Sequence, residues 1–347
     1  MRNKKILSML LAAGMAVSLA ACSGGTTAAK GDSQGADQGS ALQTKAGGAD
    51  TQAGDKEGRK FGIIYPGIHP FWEPIGAAAE EYASTKGWSV VANGPDTSDA
   101  RKQIEIMENM VSMGLDGIAL TPIDSTALKE TIDKAVDKGI KVICLESDCD
   151  ASKRYGYIGT DNYKAGRHMG DVIGKNLDGE GKIMILTGLP TQQSLNLRIE
   201  GIKDYLAEKY PNIEIVDTQA SEGDASKAVE LTENMIQAVP DFKAIIGIDA
   251  NAGPAMVSVW KAKGWQNSKE HMIITFDDMP DNLAGMKDGY ITAIVAQRES
   301  TWGQSVLDMM NDLCDGKSIP DYTDTGSVEI TLDNIDTYTQ DASWVEQ

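Results

Sequence analysis

From residue 61 onward the chain alternates short apolar runs with amphipathic stretches, and this alternation restricts the fold more than any other feature. The apolar runs predict strands at 61–65, 88–92, 117–120, 140–145, 157–159, 182–186, 213–216, 244–248, 272–276 and 290–296. The amphipathic stretches predict helices at 72–85, 98–113, 125–138, 163–176, 194–209, 225–237, 254–263, 281–287 and 301–313. Apolar strands separated by single helices favour a parallel sheet that helices cover on both faces. The predicted fold class is therefore α/β.

The number of predicted strands argues for two sheets. Two doubly wound units fit the body of residues 60–347 better than one very wide sheet. We place their boundary near residues 160–162, where the strand and helix pattern restarts. Open α/β sheets bind ligands outside the carboxyl ends of their strands, so the residues that follow each strand are the first candidates for a site.

Residues 1–21 have the pattern of an export signal. Arg2, Lys4 and Lys5 precede an apolar run at 6–17 that is too short to span a bilayer comfortably. The Leu-Ala-Ala-Cys sequence that ends at Cys22 resembles the bacterial lipobox, which implies cleavage before Cys22 and lipidation of its thiol. The alternative is an ordinary signal peptide with an incidental cysteine. Residues 22–59 are small and polar, so we expect a flexible tether that holds an exported body at the outer face of the cell membrane.

The charge and the scarcity of metal ligands exclude several classes of function. The net charge of −19 repels phosphate backbones, and no basic patch offsets it, so no nucleic-acid partner is expected. Glu146, Asp148 and Asp150 alternate as calcium ligands sometimes do, but the glycine and distal glutamate of an EF-hand loop are absent. We therefore expect no metal and no cofactor. Cys144 and Cys149 are close enough in sequence for a disulfide, although free thiols are favoured.

Polar side chains directly follow several of the predicted strands. They are Thr121, Glu146, Asp249, Asp277 and Gln297. Side chains at these positions point into the crevice at the strand ends, where ligand hydroxyl groups need acceptors and donors at fixed positions. A group of three acids and a glutamine at corresponding strand ends indicates a binding site for a polar ligand.

Aromatic residues face this group from the first strand-to-helix turn, which reads Tyr-Pro-Gly-Ile-His-Pro-Phe-Trp from residue 65 to residue 72. Flat apolar faces that flank a hydrophilic ring are typical of sugar binding. Phe71 and Trp72 could equally anchor the following helix in the core, and the sequence leaves these two roles open.

These motifs carry a resemblance to a known family. The body from Lys60 onward resembles the bacterial periplasmic sugar-binding proteins of the ribose-binding type, which are substrate-binding components of ABC importers. The most specific segments are His69-Pro70-Phe71-Trp72, Leu120-Thr121-Pro122-Ile123-Asp124, Ile158-Gly159-Thr160-Asp161-Asn162, Asn196-Leu197-Arg198-Ile199-Glu200-Gly201 and Ile274-Thr275-Phe276-Asp277. Three other segments look like the autoinducer-binding branch: Asn93-Gly94-Pro95, Asp249-Ala250-Asn251-Ala252 and Asp333-Asn334-Ile335-Asp336.

The resemblance implies two doubly wound lobes joined by three crossovers, the type I periplasmic-binding-protein fold. The expected lobes are residues 60–160 plus 298–326 and residues 161–297 plus 327–347. The family's ligand contacts fall on His69, Phe71, Trp72, Thr121, Glu146, Ser147, Asn196, Asp249, Asp277 and Gln297. Arg198 is expected near these carboxylates and is predicted as a further ligand-binding residue. Ribose-type proteins have an asparagine at the position of His69 and an Asp-Arg pair at the positions of Glu146 and Ser147. These departures argue against ribose itself.

The resemblance implies a monomeric lipoprotein that binds a ligand between its lobes and delivers it to an ABC permease and its ATPase. The cluster of carboxylates disfavours anions, which leaves a neutral monosaccharide or polyol, or an amino-bearing sugar. We expect no enzyme, because the chain lacks a Walker lysine loop, a Gly-x-Ser-x-Gly elbow and a Gly-x-Gly-x-x-Gly turn after a strand. The alternatives are a nucleoside-binding or furanosyl-signal-binding lipoprotein and a sensory receptor without import.

Overall fold

A computed structural model of the chain describes residues 58–340, so the export signal, Cys22 and most of the tether lie outside the described residues. A six-stranded sheet forms the centre of the first lobe. Its strands are β1 (Lys60–Ile64), β2 (Ser89–Asn93), β3 (Gly117–Leu120), β4 (Lys141–Leu145), β5 (Gly156–Gly159) and β11 (Tyr322–Asp324). They are all parallel and lie in the order β11-β5-β4-β3-β1-β2.

A second six-stranded sheet forms the centre of the second lobe. Its strands are β6 (Glu180–Thr187), β7 (Asn212–Ala220), β8 (Ala244–Gly247), β9 (Met272–Phe276), β10 (Ala293–Gln297) and β12 (Ser327–Ile330). The order is β12-β10-β9-β8-β6-β7, and β12 pairs antiparallel to β10 while the other pairs are parallel.

Helices pack on both sheets and bury their apolar faces there. Those of the first lobe are α1 (Glu73–Lys86), α2 (Ala100–Ser112), α3 (Ser125–Asp137) and α9 (Trp302–Cys314). Those of the second lobe are α4 (Asn162–Asn176), α5 (Gln193–Lys209), α6 (Ala225–Ala238), α7 (Ala252–Lys263) and α8 (Pro280–Lys287). A short 3-10 helix, Glu299–Thr301, precedes α9. No helix within residues 58–340 is long and apolar enough to cross a membrane.

The chain passes between the two sheets three times: from β5 to α4, from β10 to α9 and from β11 to β12. This connectivity confirms the predicted fold class of two parallel-sheet α/β lobes joined by three crossovers. The residue limits that the sequence predicts for the lobes stay a prediction.

Aspartates start four of the helices at the positions where the sequence pattern changes from loop to helix. The side chains of Asp99, Asp124, Asp161 and Asp224 accept hydrogen bonds from backbone N–H groups in the first turns of α2, α3, α4 and α6. Those N–H groups have no partner inside the helix, so a carboxylate in this place stabilises the helix start. Helix α5 lacks such a cap of its own.

Glycines allow α4 and α5 to pack closely together. A Cβ atom on Gly166 would lie 2.2 Å from the carbonyl oxygen of Arg198, and one on Gly201 would lie 2.2 Å from the carbonyl oxygen of Tyr163. Any larger residue at either position would push the two helices apart. This close contact positions the backbone of α5 at Arg198, and the Arg198 side chain reaches the site described below.

The structure adds two strands that the sequence analysis does not predict. Both β11 and β12 are short, and each lies at one edge of its sheet. An edge strand buries little of its surface, and Tyr322 of β11 is 45% exposed. The continuous apolar run that predicts a central strand is therefore absent from both.

Candidate functional site

A cavity of about 640 Å³ lies between the two lobes at the carboxyl ends of the strands, where the strand-end rule places a ligand site. Eight of the residues predicted from the sequence line it. The first lobe provides His69, Phe71, Trp72 and Glu146, and the second lobe with its crossover provides Arg198, Asp249, Asp277 and Gln297.

Three other predicted contacts do not line this cavity. Thr121 is buried, and its backbone carbonyl accepts a hydrogen bond from Gln103. The Ser147 hydroxyl accepts a hydrogen bond from the backbone N–H of Ser194 at 3.2 Å. The Asn196 side chain lies on the surface and donates to the carbonyl of Pro190.

The aromatic residues form a wall on the first-lobe side of the cavity. Trp72 stacks on Tyr65 with ring centroids 5.2 Å apart, and the Phe71 ring meets Trp72 edge to face at 4.9 Å. Phe71 also packs near Trp302 of α9 at 6.2 Å. Both Phe71 and Trp72 belong to the first-lobe core and line the cavity. The two roles that the sequence left open are therefore compatible, since the same rings anchor α1 and present apolar surface to the cavity.

His69 connects the two lobes at the mouth of the cavity. The backbone N–H of Phe71 donates to Nδ1 of His69 at 3.1 Å, so the ring proton is on Nε2. That nitrogen lies 3.1 Å from Oδ1 of Asn251 in the second lobe and donates to it. Burial lowers the pKa of His69, which keeps the imidazole neutral and suits it to this single donor role.

Glu146 and Asp277 occupy equivalent positions in the two lobes. Each directly follows a central strand in the left-handed backbone region, with φ values of 63° and 68°. The N–H of Glu146 donates to the carbonyl of Ile158 on the next strand, and the N–H of Asp277 donates in the same way to Val295. This shared backbone geometry turns both carboxylates toward the cavity. A positive φ is uncommon for residues other than glycine and often marks a functional site.

The carboxylate of Glu146 is fully engaged with protein groups from the second lobe. Oε1 accepts from Nη2 of Arg198 at 2.9 Å, while Oε2 accepts from Gln192 at 2.9 Å and from the Ser194 hydroxyl at 3.2 Å. Burial raises the pKa of Glu146, and the positive charge of Arg198 acts in the opposite direction. A buried ion pair of this kind needs its remaining lone pairs satisfied, and here they are.

Arg198 is held rigidly as well. Its Nε donates to Asn162 at 2.8 Å and its Nη1 donates to the carbonyl of Ile248 at 3.0 Å. The guanidinium lies over the ring of Phe276 with 4.5 Å between the guanidinium carbon and the ring centroid. A cation stacked on an aromatic face and fixed by hydrogen bonds keeps one orientation without a ligand.

The carboxyl groups of the second lobe are less completely paired. Oδ1 of Asp277 accepts from Nε2 of Gln297 at 2.8 Å, which leaves Oε1 of Gln297 buried without a hydrogen-bond partner among residues 58–340. Oδ1 of Asp249 and the hydroxyl of Ser221 are likewise buried and unpartnered in the described part of the chain. All of these residues line the cavity. Buried acceptors without partners are costly, so a ligand that donates hydrogen bonds to them would bind favourably.

Burial also shifts the titration of these two acids. It raises the pKa of Asp277 to about 7 and the pKa of Asp249 to about 6, although Arg198 acts to lower both. The lining contains six acids and two bases: Asp96, Glu146, Glu222, Asp224, Asp249 and Asp277 against Arg198 and Lys227. An anionic ligand would meet a net negative surface, and Arg198 is already paired with Glu146.

Several polar lining residues were not predicted from the sequence, among them Gln192, Ser221 and Asn251. Ser221 directly follows β7, so the strand-end rule would have found it if the strand had been predicted to its full length. Asn251 lies four residues past the end of β8, and Gln192 lies in the loop before α5. No apolar pattern in the sequence marks either position.

The remaining predictions from the sequence concern the cysteines and a metal site. Cys144 and Cys149 are buried free thiols. Within residues 58–340 no group of three histidines, cysteines or acids could hold a metal ion. The lipidation site predicted at Cys22 lies outside the described residues.

Two α/β lobes that enclose a polar cavity at their strand ends, with three crossovers beside it, define a two-lobed solute-binding protein of type I. Residues 61–318 match the family described as periplasmic binding protein domain. The chain belongs to this family, as its sequence motifs predicted.

Relatives of known function agree with this assignment. The ribose import binding protein RbsB of Bacillus subtilis is 24% identical over 270 residues, which are 78% of this chain and 86% of that protein. The D-allose-binding periplasmic protein of Escherichia coli is 28% identical over 262 residues, which are 73% of this chain and 83% of that protein. A solved solute-binding protein of Burkholderia graminis in complex with D-arabinose superposes with a TM-score of 0.78 at 33% identity, covering 82% of this chain and 99% of that one. These proteins are solute-binding proteins and not enzymes, which confirms the prediction that this chain is no enzyme.

Proposed function

We propose that this protein is the substrate-binding lipoprotein of an ABC importer and binds a neutral monosaccharide or polyol in the cavity between its lobes. The ligand-binding residues are His69, Phe71, Trp72, Arg198, Asp249, Asp277 and Gln297, all of which line the cavity. The family membership and the sugar-binding names of the relatives support this assignment.

One observation carries the proposal. Two buried acceptors, Oδ1 of Asp249 and Oε1 of Gln297, lack hydrogen-bond partners among the described residues. Both residues line the cavity, and the ring pair of Phe71 and Trp72 forms its opposite wall. Hydroxyl groups on one edge of a sugar ring would donate to these acceptors, while the apolar face of the ring would lie against the aromatic wall. The acidic lining disfavours sugar phosphates and sugar acids.

The test is a thermal-shift screen of residues 23–347 against pentoses, hexoses, polyols, nucleosides, sugar phosphates and uronic acids. A ligand that binds the native state raises the melting temperature by mass action. We expect a neutral sugar or polyol to raise it and the phosphates and uronic acids to leave it unchanged. A uronic acid or sugar phosphate that binds more tightly than every neutral sugar would contradict the proposed ligand class.

Gln297→Leu tests the site within the same screen. The substitution removes the unpartnered acceptor and the donor to Asp277 and puts an apolar side chain in their place. We expect the thermal shift by the sugar to disappear. The matched control is Gln340→Leu in the tail, which removes a glutamine outside the cavity lining and should leave the ligand-induced shift intact.

A nucleoside remains the second candidate ligand, because the aromatic wall and Asp249 could hold a base and its ribose. Competition between the best free sugar and the corresponding ribosides distinguishes the two. A sensory receptor without import would bind the same ligand and would differ only in the partner that docks on its lobes. Binding of the ligand-loaded protein to its permease in reconstituted membranes tests import directly.

The location is also a proposal. Lipid attachment at Cys22 would hold the body at the outer face of the cell membrane, with residues 22–59 as the tether and the two lobes as predicted from the sequence. Metabolic labelling with a radioactive fatty acid tests it, because Cys22→Ala would abolish the label. Size-exclusion chromatography with light scattering tests the expected monomer.

A further inference from the structure

Helix α5 of the second lobe begins without a capping side chain of its own. It starts at Gln193, and the side chain of the preceding residue, Gln192, accepts no hydrogen bond from a backbone N–H of the first turn; its amide donates instead to the Ser194 hydroxyl at 3.1 Å. The first N–H groups of a helix have no partner within the helix, and a buried start without a cap is costly. Other groups must therefore satisfy this turn.

The first lobe provides those groups. The Ser147 hydroxyl accepts from the N–H of Ser194, which is the position where a capping side chain ordinarily binds. The carboxylate of Glu146 accepts from the Gln192 amide and from the Ser194 hydroxyl, and it lies at the positive end of the helix dipole. All four residues are buried, with exposed fractions of 6% or less.

A further bond joins the same two lobes through the loop that follows β3. The Thr191 hydroxyl donates to the carbonyl of Ile123 at 3.0 Å. Neither Ser147 nor Ser194 lines the cavity, so the bond between them forms without a ligand atom. These bonds require the two lobes to be in contact, and they break when the lobes separate.

We infer that Glu146 and Ser147 form an interlobe cap of α5. This cap stabilises the closed form independently of ligand and sets the fraction of the unliganded protein that is closed. The inference rests on the proposed function, in which the closed form is the one that holds the ligand. Glu146 and Ser147 are then positioning residues, because they act through α5 and Arg198 and not through hydrogen bonds of their own to the ligand.

The cap has a quantitative consequence for affinity. When the binding-competent form is only partly populated, the apparent dissociation constant is the intrinsic constant divided by the populated fraction. A substitution that weakens the cap therefore raises the apparent Kd by the factor by which it lowers the closed fraction. Loss of a typical helix cap corresponds to about a fivefold change in such an equilibrium.

The test compares Ser147→Ala and Ser194→Ala with the matched control Ser125→Ala. Ser125 belongs to the first lobe and donates to the carbonyl of Asp148, so its loss removes a hydroxyl hydrogen bond within one lobe. Nitroxide side chains introduced as unnatural amino acids at exposed positions 126 and 226 report the distance between the lobes by electron–electron double resonance. The measurement is made on residues 23–347 without ligand and with the best sugar from the screen.

We expect both cap variants to lower the closed-to-open ratio of the unliganded protein by about fivefold and to keep the closed distance at saturating ligand. The product of apparent Kd and unliganded closed fraction should stay constant across the wild type, the variants and the control. A raised Kd with an unchanged unliganded distance distribution would overturn the inference and make Ser147 a ligand contact. An unliganded wild type without a closed population would overturn it as well. If no sugar binds, the proposed function fails, but the unliganded distances still decide whether the cap exists.

Discussion

Asp277→Asn should stabilise the unliganded protein at alkaline pH while it weakens ligand binding. Asp277 is 3% exposed, and burial raises the pKa of its carboxyl group from 3.8 to about 7. A folded-state pKa above the unfolded value means that ionisation favours unfolding. The stability that the neutral form provides is lost progressively as the pH rises from 4 through 7.

The expected size follows from linkage between protonation and folding. The shift in pKa corresponds to a cost of roughly 4 kcal/mol at pH 8 and roughly 2 kcal/mol at pH 5. Asparagine removes the cost because it does not ionise, and its side-chain oxygen can still accept the hydrogen bond from Gln297. Asparagine is also well tolerated at the left-handed φ of this position. The variant should therefore gain about 2.5 kcal/mol over the wild type between pH 5 and pH 8.

Urea unfolding of residues 23–347 at pH 5 and pH 8 without ligand measures this difference. Glu200→Gln is the control, because Glu200 is exposed on α5 and its neutralisation should change stability by less than about 0.5 kcal/mol at either pH. Titration with the sugar should show weaker binding by Asp277→Asn, since a carboxylate accepts stronger hydrogen bonds than an amide does. An Asp277→Asn protein whose free energy of unfolding relative to the wild type is the same at both pH values would refute the reasoning.

Three further predictions concern the residues around the site. Gly166→Ala should destabilise the fold by at least about 2 kcal/mol in thermal unfolding, because its methyl group would lie 2.2 Å from the carbonyl oxygen of Arg198, and a neutral effect would show that the helices separate without cost. Arg198→Met should cost roughly 3 to 5 kcal/mol because it leaves the buried Glu146 carboxylate uncompensated, and adding Glu146→Gln should recover part of that loss. Burial raises the pKa of both Cys144 and Cys149, so mass-spectrometric mapping should find neither thiol alkylated at pH 8 until the protein is unfolded.

The sequence predicts the sheets and the place of the site well, because both follow from strong local signals. Apolar runs mark the central strands, and the residues after them meet at one edge of each sheet. The rule succeeds for Asp277 and Gln297, which follow β9 and end β10 and hydrogen-bond to each other. It misses Ser221 because the outer half of β7 is polar on one face and its true end cannot be read from apolar residues.

The sequence alone does not predict which side chains hydrogen-bond to each other inside the site. Glu146 and Asp277 look alike as acids after apolar strands, and only the arrangement of the two lobes distinguishes them. Arg198 is close to Glu146 because α5 packs against α4 through glycines, a contact between segments that are far apart in the chain. The strands β11 and β12 depend in the same way on neighbours that the local sequence does not reveal.

The equivalent positions of Glu146 and Asp277 suggest how one fold divides two tasks between its lobes. Both residues have a left-handed backbone, and an asparagine side chain donates to the carbonyl of each, Asn162 to Glu146 and Asn282 to Asp277. The Glu146 carboxylate is saturated by donors from the opposite lobe, whereas Asp277 receives one donor, Gln297, at the crossover between the lobes. A saturated carboxylate has little capacity left for a ligand but strongly favours lobe contact. An unsaturated one costs stability until a ligand hydroxyl donates to it. The first position therefore suits closure and the second suits recognition, although the sequence presents the same pattern at both.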